Sequence, residues 1–385
     1  MWHRKRAGAI LICQRTPSEY DEVTWQAALD EEGEVAKPVK TTVTRNDVAK
    51  AAGTSVAVVS YVINNGPRPV ADATRQRVLA AIEQTGYRPN AAARALASGH
   101  TKTFGLVVPN ISNPFVASMA HMLLQESLNH GHVMLLGDAG DDRKRELELI
   151  QGLLNRQVDG LFYNSVDRHP FIDIITASGT PLVMLDRVEA QPGVSMLRVD
   201  ERQAAFQVCA HLLSHGYQQV GMISGPLDML NAQDRIQGWR DAMQAHNVQI
   251  DESLIFPTTY TREGGYQATL RMIASQKLPR ALFASNEGQA IGCIRALSQH
   301  GIRVPKDVAM VCFNGTEQSA YHVPALTTVR QPVKEMARCA IHMLKQWNGE
   351  ARIESFPHHL EIGESCGCRP SQARVNKPNN EKTDY

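Results

Sequence analysis

Six side chains set far apart in the chain could together hold a small polar molecule: Phe115, Asp186, Arg235, Tyr260, Asn286 and Asn314. Aromatic rings stack on the C–H face of a sugar, while carboxylate, guanidinium and amide groups form paired hydrogen bonds with its hydroxyls. Asn113 and Glu287 belong with them by position. Covalent catalysis has no such support. The chain lacks a G-x-S-x-G nucleophile turn, and its fourteen histidines include no H-E-x-x-H pair. No G-x-G-x-x-G follows a candidate strand and no G-x-x-x-x-G-K-[ST] is present, so no nucleotide cofactor is expected. Cys366 and Cys368 form a C-x-C with His358 and His359 upstream, but no second ligand pair stands at zinc spacing. They are read as structural or incidental, and no metal is expected.

These residues acquire meaning from the elements that must carry them. From Phe104 onward, short apolar runs alternate with amphipathic helical stretches. FGLVVP, HVMLLGD, VDGLFYN, PLVMLD, VGMISG, ALFASN and DVAMVCFN are candidate buried strands. Segments such as PFVASMAHMLLQESLNHG and RKRELELIQGLLNRQ lie between them as helices. Such alternation predicts parallel sheets with helices on both faces, and the number of strands suggests two Rossmann-like subdomains. Ligands of open α/β sheets bind beyond the carboxyl ends of the strands. Asn113 and Phe115 follow FGLVVP there, Asp186 ends PLVMLD, Asn286 and Glu287 follow FAS, and Asn314 ends VCFN. Arg235 opens the helix RIQGW, and Tyr260 follows IFPTT. One polar residue after a buried strand usually just ends it; several at neighbouring strand ends point to a binding cleft.

The segment VTRNDVAKAAGTSVAVVSYVINNG (residues 43 to 66) has another logic. Thr44 can cap a helix with Asp47 three residues on, in the spacing of a capping box. Val48, Ala49 and Ala52 give that helix an apolar face, and Gly53 ends it. Ser55 can cap a second helix, with Val59, Val62 and Ile63 on one side and Val56, Ala57, Ser60, Tyr61 and Asn64 on another. Two short helices about a glycine turn fit a helix-turn-helix. A third helix starts at Asp72 or Thr74 and stops at Gly86. Asn90 then caps a short alanine-rich helix carrying Arg94 and Leu96. A helix of that length is marginal alone in water, so something else must hold it.

Charge supports this division. The 385 residues carry a formal net charge of only +1. Residues 38 to 102 hold nine Lys and Arg against three Asp and Glu, a local net charge of +6. A basic module joined to a slightly acidic body is suited to neutralising phosphates. No apolar run approaches the ~20 residues needed to cross a bilayer. MWHRKRAGAILIC superficially resembles a secretion signal, but its apolar part is minimal and no small-x-small cleavage site follows. Seven dispersed cysteines read as free thiols in a reducing cytoplasm.

The run V-T-x-x-D-V-A-x-x-A-G-x-S-x-x-x-V-S-x-V-x-N, followed by T-R-x-x-V-x-x-A-I-x-x-x-G-Y-x-P-N-x-x-A-R-x-L, resembles the DNA-binding and hinge module of the lactose-repressor (LacI/GalR) family. The likeness spans residues 43 to 96 and continues to about residue 370. It implies a helix-turn-helix domain (41–88), a hinge helix and linker (89–102), and a periplasmic-binding-protein-like body (103–370). The body's N-subdomain is expected over 103–199 and 329–355, its C-subdomain over 200–328 and 356–370. The chain should cross between them near Val199, Thr328 and Phe356. Residues 1–40 are expected to be disordered or the product of an upstream start assignment, and 371–385 a disordered tail.

The resemblance further implies a cytoplasmic transcriptional regulator, read as a repressor and nucleoid-associated when bound. It would hold near-palindromic operator double-stranded DNA as a homodimer, or a higher oligomer, under a small-molecule effector such as a sugar. Thr44, Ser55, Val56, Ala57, Ser60, Tyr61, Asn64, Asn90, Arg94 and Leu96 would face DNA, with Leu96 at the position of the minor-groove wedge. Arg235 matches the arginine of R-x-x-G-[FW], Asn286 the asparagine of the usual N-D, and Asp186 the aspartate that ends its strand. Phe115 and Tyr260 match aromatic positions of purine-repressor-like members. Three positions depart from the pattern: Glu287 replaces an aspartate, Asn314 replaces the aspartate of G-[YF]-D, and Met229 stands where purine-binding members carry arginine. The last argues against a purine effector. A sugar-binding transport protein would share the body, but it would need a secretion signal and would have no use for residues 43 to 98.

Overall fold

The computed structural model describes residues 43–64, 68–186 and 193–368. The leader and the tail lie outside the described residues. The chain divides into two compact units that meet in sequence at Pro89 and Asn90.

The first unit is a bundle of α1 (Arg45–Ala52), α2 (Val56–Asn64) and α3 (Asp72–Thr85). Thr44 precedes α1, and both its amide N–H and its hydroxyl donate to the Asp47 carboxylate at 2.8 Å. Those bonds hold the Asp47 carboxyl below its usual value. Gly53 takes the left-handed conformation (φ 60°), and Thr54 N–H closes the end of α1 on Ala49 C=O at 3.0 Å. The Ser55 hydroxyl accepts from Val58 N–H at 3.3 Å and starts α2. Val48, Ala49, Ala52, Val59, Val62, Val78, Ala81 and Tyr87 form the core. The expected terminator Gly86 (φ 63°) ends α3.

In the second unit α4 (Ala91–Ser98) starts directly after Asn90, whose carbonyl accepts from Arg94 N–H at 3.1 Å. Two lobes follow. The first contains β1 (Thr103–Val108), α5 (Pro114–Asn129), β2 (Val133–Asp138), α6 (Arg143–Asn155), β3 (Gly160–Tyr163), α7 (Ile172–Ala177), β4 (Leu182–Met184) and β5 (Ser195–Val199). The second contains α8 (Glu201–Ser214), β6 (Gly221–Ser224), α9 (Leu230–Ala245), β7 (Ile255–Pro257), α10 (Arg262–Ala274), β8 (Ala281–Ala284), α11 (Glu287–Gln299), β9 (Ala309–Phe313) and β10 (Thr327–Arg330). The chain then returns to the first lobe with α12 (Val333–Lys345) and β11 (Ile353–Phe356), and to the second with β12 (His359–Glu361).

The sheet orders are β11-β5-β4-β3-β1-β2 and β12-β10-β9-β8-β6-β7. All pairings are parallel except β10 with β12. Crossings therefore follow Val199, Arg330 and Phe356. The middle one lies just past the expected Thr328, because Thr328 itself pairs with both β9 and β12. All seven expected strands are present, as β1 to β4, β6, β8 and β9. Each sheet is flanked on both faces by separate buried clusters, as crossover helices require.

Candidate functional site

A cavity of about 290 Å3 lies between the two lobes, at the carboxyl ends of the strands. That is close to the low end of the ~300–1,000 Å3 typical of small-molecule sites, and suits a compact ligand. Of the eight residues expected there, seven line it: Asn113, Phe115, Asp186, Arg235, Tyr260, Asn286 and Asn314.

Arg235, on the second turn of α9, is the most constrained of them and only 3% exposed. Its Nε donates to Glu201 Oε2 at 2.6 Å and its Nη1 to the Ser285 carbonyl at 2.6 Å. The guanidinium lies over the Phe313 ring, 4.1 Å from its centroid, and 5.7 Å from that of Tyr260. Burial opposes its charge, but the nearby Glu201 and Asp186 carboxylates outweigh it and hold its pKa above the ordinary value. Arg235 is thus a fixed cation whose remaining donors can address a ligand.

Tyr260 donates its hydroxyl to Asn231 Oδ1 at 2.9 Å, and Asn231 Nδ2 donates to Asp186 Oδ2 at 2.9 Å. This chain bridges the lobes, since Asp186 belongs to the first and the other two to the second. Burial pushes the Tyr260 phenol above its usual pKa and keeps it a neutral donor. The Tyr260 ring also explains a glycine after β6: a Cβ on Gly225 would stand 2.1 Å from Tyr260 Cζ. Gly225→Ala is therefore expected to displace the ring, weakening ligand binding at least tenfold while DNA binding persists. Isothermal titration of the ligand beside a gel shift with DNA checks this.

Three of the asparagines have structural work as well. Asn113 caps α5, its Oδ1 accepting from Phe115 N–H at 3.1 Å, which orients the Phe115 ring at the cavity. Asn286 caps α11 through Gln289 N–H (2.7 Å) and donates to the Tyr260 carbonyl (2.9 Å). Asn314 adopts a left-handed conformation (φ 57°), tolerated by asparagine, and its Oδ1 accepts from Gln331 at 2.5 Å.

Glu287 corrects the sequence reading. It is 1% exposed and absent from the cavity wall. Its carboxylate accepts from the Thr316 hydroxyl at 2.8 Å, Thr316 N–H at 3.3 Å and the Ser319 hydroxyl at 2.5 Å. Lying first in α11, it points away from the side where its neighbour Asn286 meets the cavity, and it pins the loop after β9. Sequence reasoning missed Asn231 and Glu201. Asn231 lies one helical turn before Arg235, a spacing that puts both on one face of α9. Glu201 follows β5, a strand too polar for the apolar-run criterion.

On the first unit, α2 presents Val56 (38% exposed), Ala57 and Asn64 to solvent, with Ser60 and Tyr61 half-buried beside them. The Asn64 amide donates to the Ser60 hydroxyl at 3.3 Å. Thr44, Ser55, Asn90 and Arg94 are exposed. Leu96 is 90% exposed on α4. A leucine so open to water contributes little to the folded unit.

Residues 44–90 match the family described as bacterial regulatory proteins, lacI family, and residues 209–366 match the periplasmic binding protein-like domain. Catabolite control protein A of Priestia megaterium is 30% identical over 331 residues, covering 84% of this chain and 99% of that protein. The transcriptional regulator DegA of Bacillus subtilis is 34% identical over 302 residues, covering 77% and 88%. Among solved structures, the CelR–cellobiose complex aligns with a TM-score of 0.63 at 28% identity, covering 84% of this chain and 99% of that one. A lac repressor dimer bound to operator and an anti-inducer aligns at 0.73, with 24% identity and the same coverage, and shares the fold. The chain therefore belongs to the lacI family of bacterial regulatory proteins: it is a DNA-binding transcriptional regulator rather than an enzyme.

Proposed function

We propose that the protein is a repressor that binds a near-palindromic operator as a homodimer and is controlled by a sugar or sugar derivative in the cleft between its lobes. The observation that carries the effector is the convergence of the Arg235 guanidinium, the Asp186–Asn231–Tyr260 chain and the Phe115 ring on one cavity. A charged and amide-rich wall with aromatic faces matches a polyhydroxylated ligand. Because residues of both lobes take part, ligand binding favours one closure of the lobes over another and shifts that equilibrium. Two relatives of known structure are bound to sugars, CelR to cellobiose and a regulator from Enterococcus faecium to ribose. A thermal-shift screen of monosaccharides, disaccharides, polyols and nucleosides tests this, since a ligand that binds only the folded state raises its stability. A stabilising sugar supports the reading; stabilisation by nucleosides alone contradicts it.

Dimerisation is supported by an apolar strip on the first lobe. Leu124 and Leu128 of α5 are 40% and 53% exposed, and Leu136, on the α5 face of the edge strand β2, is 49% exposed. Two copies meeting there would cover these side chains and pair two DNA-binding units for two half-sites. Leu128→Glu with Leu136→Glu is expected to give a monomer in analytical ultracentrifugation and to weaken operator binding.

The base-reading surface is α2. Ser55, Ser60 and Asn64 position it against phosphates, and Val56, Ala57 and Tyr61 approach base edges. Tyr61 offers one hydroxyl and a ring, whereas arginine can address guanine bidentately. Tyr61→Arg is therefore expected to change the preferred base at one position of each half-site, as read by selection from a random duplex library. An unchanged site would remove Tyr61 from the reading face.

A further inference from the structure

Far from the cleft, the C-x-C near the end of the described chain meets two histidines that are distant in sequence. They are not the upstream His358 and His359 but His211 and His215, at the carboxyl end of α8. Their spacing of four residues puts both rings on one face of the helix. The thiols reach them because Gly367, between the cysteines, adopts the left-handed conformation (φ 94°). The Cys366 and Cys368 thiols therefore converge on the same histidine pair. His211 Nε2 lies 3.3 Å from Cys366 Sγ and 3.7 Å from Cys368 Sγ, and His215 Nε2 lies 3.5 Å from Cys368 Sγ. All four ligand atoms lie within 4.8 Å of one another.

We propose that His211, His215, Cys366 and Cys368 form a His2Cys2 site for a tetrahedral divalent ion of the zinc type. With Zn–S near 2.3 Å and Zn–N near 2.0–2.1 Å, a tetrahedron has nitrogen–sulfur edges of about 3.5 Å. The three measured nitrogen–sulfur separations bracket that value. Hydrogen bonding alone explains the cluster poorly, because thiols are weak donors and weak acceptors. Cys366 is buried while His215 is exposed, so the centre is enclosed on one side and reachable by an ion from the other.

Four protein ligands leave no open position, so the site is structural. It fastens the segment after β12 to the end of α8. The 14 residues of α8 span about 21 Å, and its first residue is the Glu201 that pairs with Arg235. The ion therefore braces the helix that seats Arg235 without touching the cleft.

The test uses the full chain, purified reduced and free of chelator, loaded with zinc, dialysed and analysed for metal by mass spectrometry. The wild type is expected to retain about one zinc per chain, and the His215→Ala/Cys368→Ser double variant below about a tenth of that. Cobalt(II) gives a second reading that needs no variant: thiolate-to-cobalt charge transfer and intense tetrahedral bands in wild-type protein. A chelator should lower the melting temperature of zinc-loaded wild type and leave that of the variant unchanged. A wild type that retains no zinc, a variant that retains as much as wild type, or a cobalt spectrum of octahedral type without charge transfer would each overturn the proposal.

Discussion

Arg235→Ala is expected to leave operator binding intact, abolish the response to effector and lower the melting temperature of the two-lobed unit. The stability loss follows from what remains behind. Glu201 keeps its buried position (7% side-chain exposure) but loses its counter-charge. Removing one partner of such a pair costs about 3–5 kcal/mol. For a unit of this size that corresponds to a fall of roughly 5–9 °C, readable by scanning calorimetry. The Ser285 carbonyl also loses its 2.6 Å donor. Stability and ligand recognition are separable through Arg235→Met combined with Glu201→Gln. This pair removes both charges at similar volume, so most of the lost stability should return while the effector response stays absent. If the double variant regained the response, Arg235 would be only a packing residue.

Leu96→Ala should do the opposite: leave stability unchanged and weaken operator binding by tenfold or more. At 90% exposure the side chain contributes almost nothing to the folded protein. Prying apart a base step with an apolar wedge is repaid by the surface that the bent DNA then contacts, an effect of a few kcal/mol. Losing about 1.4 kcal/mol of it already costs a factor of ten in affinity. Titration of labelled operator followed by anisotropy would show the loss, and calorimetry would show the unchanged melting temperature. Equal affinity for the variant and the wild type would exclude the wedge.

Much of this was legible in the residues, for identifiable reasons. The helix-turn-helix could be read because local signals agree there: a Thr44–Asp47 cap, a glycine at a left-handed turn, and apolar spacing that becomes the Val48–Val59–Val78 core. Asn113, Phe115, Asp186, Asn286 and Asn314 could be read because buried parallel strands are apolar runs whose ends lie at the ligand edge, whereas Arg235 and Tyr260 were marked by the family resemblance. Where that reasoning failed, the information was not local. Glu287 sits one position from Asn286, yet helix geometry turns its carboxylate to Thr316 and Ser319. The strands β5, β7, β10, β11 and β12 are short, polar or at a sheet edge, and depend on their neighbours rather than their own pattern. His211 and His215 lie more than 150 residues before Cys366 and Cys368, so only the folded chain brings them together.

The proposed coupling between the cleft and DNA binding is tested directly by one titration. Labelled duplex from upstream of the protein's own gene is titrated by anisotropy, with and without the sugar that gives the largest thermal shift. The coupling predicts tight, salt-sensitive binding that exceeds binding to a scrambled duplex and that changes with the sugar by about 5- to 150-fold. Equal affinity for both duplexes at low salt, or an affinity the sugar leaves unchanged, would contradict it.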